Sequence, residues 1–243
     1  MVKKRCWILE ANEVLRGRNL RASPSAQTKL SLKAQEFVEE SFRLGYIQEE
    51  KLSAILFPQA KSTGERRIFI SHPHEYAQEA RAIKELLCPA YKCFVDEDVW
   101  GQVDVILRQI QKKKDKLNLS ECNSWAAHMY LMLSRAILKE IRRSDIFLYL
   151  SAEDSTNIDI IHSPWIYFEL QTVQSFNSCQ DIFLTENFSR QTSYPRMDYD
   201  ISRLTKNFLP ISYGLLQQLS KGDIGEDEVE LYAEVDAGVK NYE

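Results

Sequence analysis

The residues best suited to chemistry in this chain are acidic and polar side chains set beside aromatic ones. In Trp165–Ile166–Tyr167–Phe168–Glu169 the carboxyl of Glu169 comes four positions after the indole of Trp165, so on a helix the two share a face, one turn apart. Such a carboxylate either faces a pocket or is a surface glutamate one turn from a core tryptophan, and periodicity alone leaves both open. A second polar group, Ser71 and His72, closes the apolar run Ile68–Phe69–Ile70, and a third, Asp96 and Glu97, closes Cys93–Phe94–Val95. The five cysteines, Cys6, Cys88, Cys93, Cys122 and Cys179, are scattered and include no CxxC pair. They read as reduced thiols of an intracellular protein rather than as a disulfide framework or a zinc site, and no metal ligand set is assigned.

These groups need elements to hold them in place. Ile68–Phe69–Ile70, bounded by Arg66–Arg67 and by Ser71–His72–Pro73, has the pattern of a strand buried on both faces. Ala77, Ala80, Ile83, Leu86 and Leu87 then recur at helical spacing before the second short apolar run at Cys93, which makes a βαβ unit. Ligands of such units collect at the carboxyl ends of the strands, where Ser71, His72, Asp96 and Glu97 fall. The spacing from Ala126 to Arg143 predicts an amphipathic helix, and Ile146 to Leu150 a third buried strand. A further helix starts at Pro164, whose missing N–H costs nothing in a first turn, and carries Trp165 and Glu169. Ile182–Phe183–Leu184 and Phe208 to Ile211 predict two more strands.

Around this α/β region, residues 66–220, the chain reads differently. Residues 1–62 predict an N-terminal helical segment, with a hairpin between Leu32 and Leu56 broken at Gly45 and stopped at Pro58. The cluster Lys112–Lys113–Lys114 with Lys116 reads as a solvated face. Residues 221–243 predict an acidic tail: eight acidic residues stand against one lysine from Gly222 onward, and a frayed tail or an edge strand fits that composition. A net charge of -4 weighs against a nucleic-acid partner bound through overall positive charge. No apolar run approaches the ~20 residues that span a bilayer, and the first ten residues lack a secretory pattern, so a cytoplasmic protein without a membrane partner is expected.

Four motifs in order resemble the Toll/interleukin-1-receptor (TIR) domain family. They are Ile68–Phe69–Ile70–Ser71–His72; Phe94–Val95–Asp96; Ser144–Asp145–Ile146–Phe147–Leu148–Tyr149–Leu150–Ser151; and Ser163–Pro164–Trp165 with Glu169–Leu170. The likeness covers roughly residues 66 to 215 and implies a flavodoxin-like parallel sheet flanked by helices, with the N-terminal helical segment as an extension. It further implies that Glu169 is the catalytic residue of an NAD+ glycohydrolase or cyclase. In that reading the substrate contacts come from Phe69, Ser71, His72 and Trp165, with Asp96, Glu97 and Trp100 opening the loop after the second strand. NAD+ is then the substrate and no other cofactor is called for. The product is ADP-ribose or a cyclic ADP-ribose-type signal, in prokaryotic members often for anti-phage defence of the Thoeris type, acting on a downstream effector protein. Self-association through TIR contacts is the expected mode of assembly. The segment after the second strand is long, carries the lysine cluster and lacks the Pro-Gly tip of receptor-type members. Two other functions fit the same residues: a non-catalytic interaction module, and a nucleoside deoxyribosyltransferase-like enzyme.

Overall fold

The computed structural model describes residues 4–10, 36–37, 39–41, 43–46, 48, 50–51, 54, 66–88, 90–96, 119–151, 160–161, 163–177, 186–189 and 196–240. The chain divides into two compact units: Met1–Leu20, Glu65–Val95 and Glu140–Glu243 form the first, and Arg21–Gly64 with Asp96–Lys139 the second.

The first unit is built on five parallel strands, β1 (Arg5–Glu10), β2 (Arg67–Ser71), β3 (Lys92–Val95), β4 (Ile146–Ser151) and β8 (Leu209–Pro210), in the spatial order β3-β2-β4-β1-β8. Its helices are α1 (Ala77–Leu87), α3 (Pro164–Asn177), α4 (Ser202–Thr205), α5 (Tyr213–Lys221) and α6 (Glu226–Lys240). A small antiparallel sheet completes it, with β7 (Arg196–Asp200) between β5 (Ile160–Ile161) and β6 (Glu186–Ser189). This is the expected parallel α/β sheet flanked by helices. Strands at residues 67–71, 92–95 and 146–151 and helices at 77–87 and 164–177 stand where the apolar runs placed them. The run at 182–184 lies outside the described residues.

Alternation along the strands divides the sheet into two faces. On one, Trp7, Leu9, Ile68, Ile70, Ile146, Leu148 and Leu150 join Ala80, Ile83 and Leu87 of α1, Leu216 and Leu219 of α5, and Val229 and Ala233 of α6 in one apolar core. The other face carries an aromatic row. Phe69 stacks on Phe94 at 5.2 Å and on Phe147 at 5.4 Å, and Phe147 meets Phe208 edge to face at 5.9 Å. Offset or edge-on rings add to what their burial contributes.

Two expectations are corrected here. Residues 5–10 do not belong to a helical extension: they form β1, paired with β4 from Arg5↔Ile146 to Glu10↔Ser151 and with β8 on its other side. In the usual flavodoxin-like order 2-1-3-4-5 the fourth position goes to a strand later in the chain; here β1 holds it. Trp7 and Leu9, 0% and 1% exposed, explain why a strand this short stays there. Nor do the described residues of the acidic segment 221–243 form a frayed tail or an edge strand, since 226–240 are helical. Val229 and Ala233, four apart, are buried, and the acidic first turn is neutralised from the sheet. Arg5 reaches Glu226 at 3.4 Å, Asp227 at 2.6 Å and Glu230 at 3.1 Å, and Arg66 reaches Glu226 at 3.3 Å. Carboxylates at a helix N-terminus also meet the positive end of its dipole. Just before it, α5 is capped at both ends: the Ser212 hydroxyl accepts from the Leu215 N–H, and Gly222 takes the left-handed conformation, φ 74, that ends a helix at little cost.

In the second unit, the described residues at 39–44 and 50–51 are helical, on either side of left-handed Gly45 (φ 74), and Lys51 pairs with Glu40 at 2.7 Å. Helical conformation on both sides of Gly45 is the local feature the sequence spacing predicts there. The long helix α2 spans Leu119–Arg143, and its last-turn residue Glu140 lies 4.0 Å from Arg67, both residues belonging to the first unit.

Candidate functional site

Ser71 is the last residue of β2. Alternation puts its side chain on the aromatic face, one step beyond Phe69 toward the carboxyl end of the sheet. That position is also a topological switch point. From β2 the chain moves outward to β3 and then crosses to β4 on the other side, so the connections from the carboxyl ends of β2 and β4 lead to opposite sides of the sheet.

Helix α3 brings the carboxylate to this point. Ser163 opens the helix by accepting the Ile166 N–H at 3.4 Å, and Pro164 fills the first helical position. Ile166, Leu170 and Val173 are buried, and Tyr167 stacks on Tyr199 of β7 at 4.6 Å. Held this way, the helix places Glu169 so that the Ser71 hydroxyl donates to its Oε2 at 2.6 Å. That length is typical of a hydroxyl bound to a carboxylate. Both residues are 0% exposed. A buried carboxylate is costly unless it is bonded, and the serine's hydroxyl offsets part of that cost at this depth.

Of the residues picked out in the sequence, Ser71 and Glu169 are joined directly. His72 follows Ser71 and is buried, at the start of the turn leading to the short 3-10 segment His74–Tyr76. Trp165 is half-buried one turn before Glu169, edge-on to Phe168 at 6.3 Å. Phe69 is fully buried between Phe94 and Phe147, so it supports the serine from below as part of the core. Asp96 is buried directly after β3 and belongs to the second unit. Glu97 and Trp100 lie outside the described residues.

Tyr149 of β4 was not singled out from the sequence. It is the register partner of Ser71, on the same face, and 2% exposed. Burial, and then the charges of Glu75 and Glu169, push its phenol well above the ordinary tyrosine range, so it remains a neutral hydroxyl. Its only sequence signal is a hydroxyl inside an otherwise apolar run.

Among the described residues no group of three or more His, Cys, Asp or Glu side chains could hold a metal ion, and no helix is long and apolar enough to cross a membrane. The second unit has an open groove of about 400 Å³ beside Tyr46, Trp125, His128 and Arg135. Comparison of the chain with family models, with curated proteins and with solved structures gave no match.

Proposed function

We propose that the chain is a TIR-type NAD+ nucleosidase that cleaves the bond between nicotinamide and ribose, using Glu169. The observation that carries this reading is the fully buried Glu169 carboxylate, bonded at 2.6 Å to Ser71 at the switch point of a parallel sheet. Nicotinamide in NAD+ is already cationic. When its bond to the ribose breaks, the electron pair stays with the ring nitrogen and positive charge develops on the ribose carbon. A carboxylate in a low-dielectric site stabilises that charge more in the transition state than in the ground state. Glycosidases use carboxylates against a similar oxocarbenium-like state. Water then adds to give ADP-ribose, or a nucleophile within the substrate adds to give a cyclic product. A signal of that kind serves anti-phage defence through a downstream effector in the cytoplasm.

Glu169 is sealed from solvent, so an opening movement must precede substrate entry, and self-association of the chain is the expected trigger. The test is NAD+ consumption with analysis of the nucleotide products at several protein concentrations, comparing wild type with Glu169→Ala. We expect concentration-dependent release of nicotinamide by wild type and a loss of about 10²-fold or more in the variant. Equal, near-background turnover by both defeats the proposal.

The sealing of Glu169 also favours a second reading, in which the Ser71–Glu169 bond ties α3 to β2 in a non-catalytic interaction module. In that case self-association persists in Glu169→Ala and no concentration of wild type consumes NAD+.

A further inference from the structure

Helix α6 turns its larger apolar side chains outward. Val229 and Ala233 are buried against the core, while Leu231, Tyr232 and Val235 are 58%, 47% and 56% exposed. Leu231 and Val235 lie one turn apart with Tyr232 beside them, so the three form one patch, and the exposed Glu228 and Glu234 stand next to it. Single exposed apolar residues need no explanation, but three on one helix face mark an interaction surface. The second unit carries a counterpart. Its groove of about 400 Å³ is lined by Tyr46, Trp125, Leu131 and Met132, together with the guanidinium of Arg135 and the imidazole of His128. Trp125, His128, Met132 and Arg135 recur at helical spacing, so the groove follows one face of α2. At the α-helical rise it runs for about 15 Å from Trp125 to Arg135, and the α6 patch from Glu228 to Val235 needs about 10 Å.

We propose that this groove takes the outward face of α6 from a second copy of the chain, an amphipathic helix laid into an apolar groove; this rests on the self-association in the proposed function and not on its chemistry. Charge chooses the pairing. Packing α6 on α6 would set Glu228 and Glu234 against the same acids of the other copy, and groove on groove would do likewise to Arg135. Seating α6 in the groove sets those acids against Arg135 instead. Each copy carries both surfaces, so the contact is head-to-tail and repeats from copy to copy.

Sedimentation velocity of the full chain over a range of concentrations tests this, with wild type expected to grow beyond two copies. Leu231→Lys combined with Val235→Lys removes the apolar patch and brings cations to Arg135, and Leu131→Glu brings an acid to Glu228 and Glu234. All three positions are more than half exposed, so the fold should tolerate both changes, which circular dichroism checks. Each variant alone should raise the dissociation constant about tenfold or more. Mixed in equal amounts, the two retain one intact groove and one intact α6, and should form a pair that grows no further; that pair also shows that both are folded. The proposal is overturned if wild type stays a single copy at every concentration, if either variant associates as well as wild type, or if the mixture yields no pair. A wild type that stays single overturns it even while consuming NAD+, and one that assembles as expected but consumes none defeats only the nucleosidase reading.

Discussion

Replacing Glu169 by glutamine should separate a side chain kept for function from one kept for stability. The substitution preserves shape and a carbonyl acceptor for the Ser71 hydroxyl, and it removes the charge. A hydrogen bond to a charged group contributes about 1.5–3 kcal/mol and a neutral one about 0.5–1.5, so the bond itself weakens by roughly 1 kcal/mol. Against this, a carboxylate with no exposed surface carries an effective desolvation cost of several kcal/mol per ion, which glutamine does not. The balance runs from about neutral to about 2 kcal/mol more stable. For a chain of 243 residues each kcal/mol moves the Tm by about 2–4 °C, so Glu169→Gln should melt level with wild type or up to about 8 °C higher. Ser71→Ala has the opposite effect. It leaves the charge buried without its hydroxyl and should lower the Tm by about 4–8 °C, a loss of about 2 kcal/mol. Thermal unfolding followed by circular dichroism at pH 7, with NAD+ consumption measured on the same preparations, gives both quantities. If Glu169→Gln melts well below wild type, the charge is a fastening rather than a strained functional group, and the argument from burial to chemistry is refuted.

Two other outcomes follow from the framework around the site. Phe147→Ala removes a ring that touches both Phe69 and Phe208, and should cost about 3–5 kcal/mol in denaturant unfolding. Tyr91, pushed up to about 12 first by burial and then by Glu226, has a folded value above its unfolded one. Its contribution is therefore complete below about pH 10 and is lost as the pH rises from there toward 12, so Tyr91→Phe should flatten the fall of Tm across that window.

The parts of the fold legible in the sequence were those with local signals. Ile68–Phe69–Ile70 and Ile146 to Leu150 are apolar runs of strand length, and Ser163–Pro164 announces a helix start whatever lies elsewhere in the chain. The strand at Arg5–Glu10 had a run just as apolar but no nearby partner, because the strand it pairs with begins at Ile146. Helix α6 was hidden by its own charge: among its described side chains Val229 and Ala233 are the buried apolar pair, and the cations that offset its acids come from Arg5 and Arg66. The meeting of Ser71 with Glu169, 98 positions apart, is a product of the parallel order of the sheet. No spacing rule contains it; only the family resemblance put both residues in one pocket. Tyr149 was lost for the reverse reason, since a strand buried on both faces shows no alternation to mark which residues look toward the site.

The place of β1 also sets a timetable. Residues 5–10 leave the ribosome long before residues 146–151, the edge they zip onto. At roughly 5–20 residues per second that delay is on the order of ten seconds, during which Trp7 and Leu9 have no strand beside them. The strand at Leu209–Pro210 must wait longer still, because among the described strands its neighbour in the sheet is β1. This early strand is thus a keystone set late, and the nascent protein holds an unsatisfied apolar strand that a chaperone is well placed to shield.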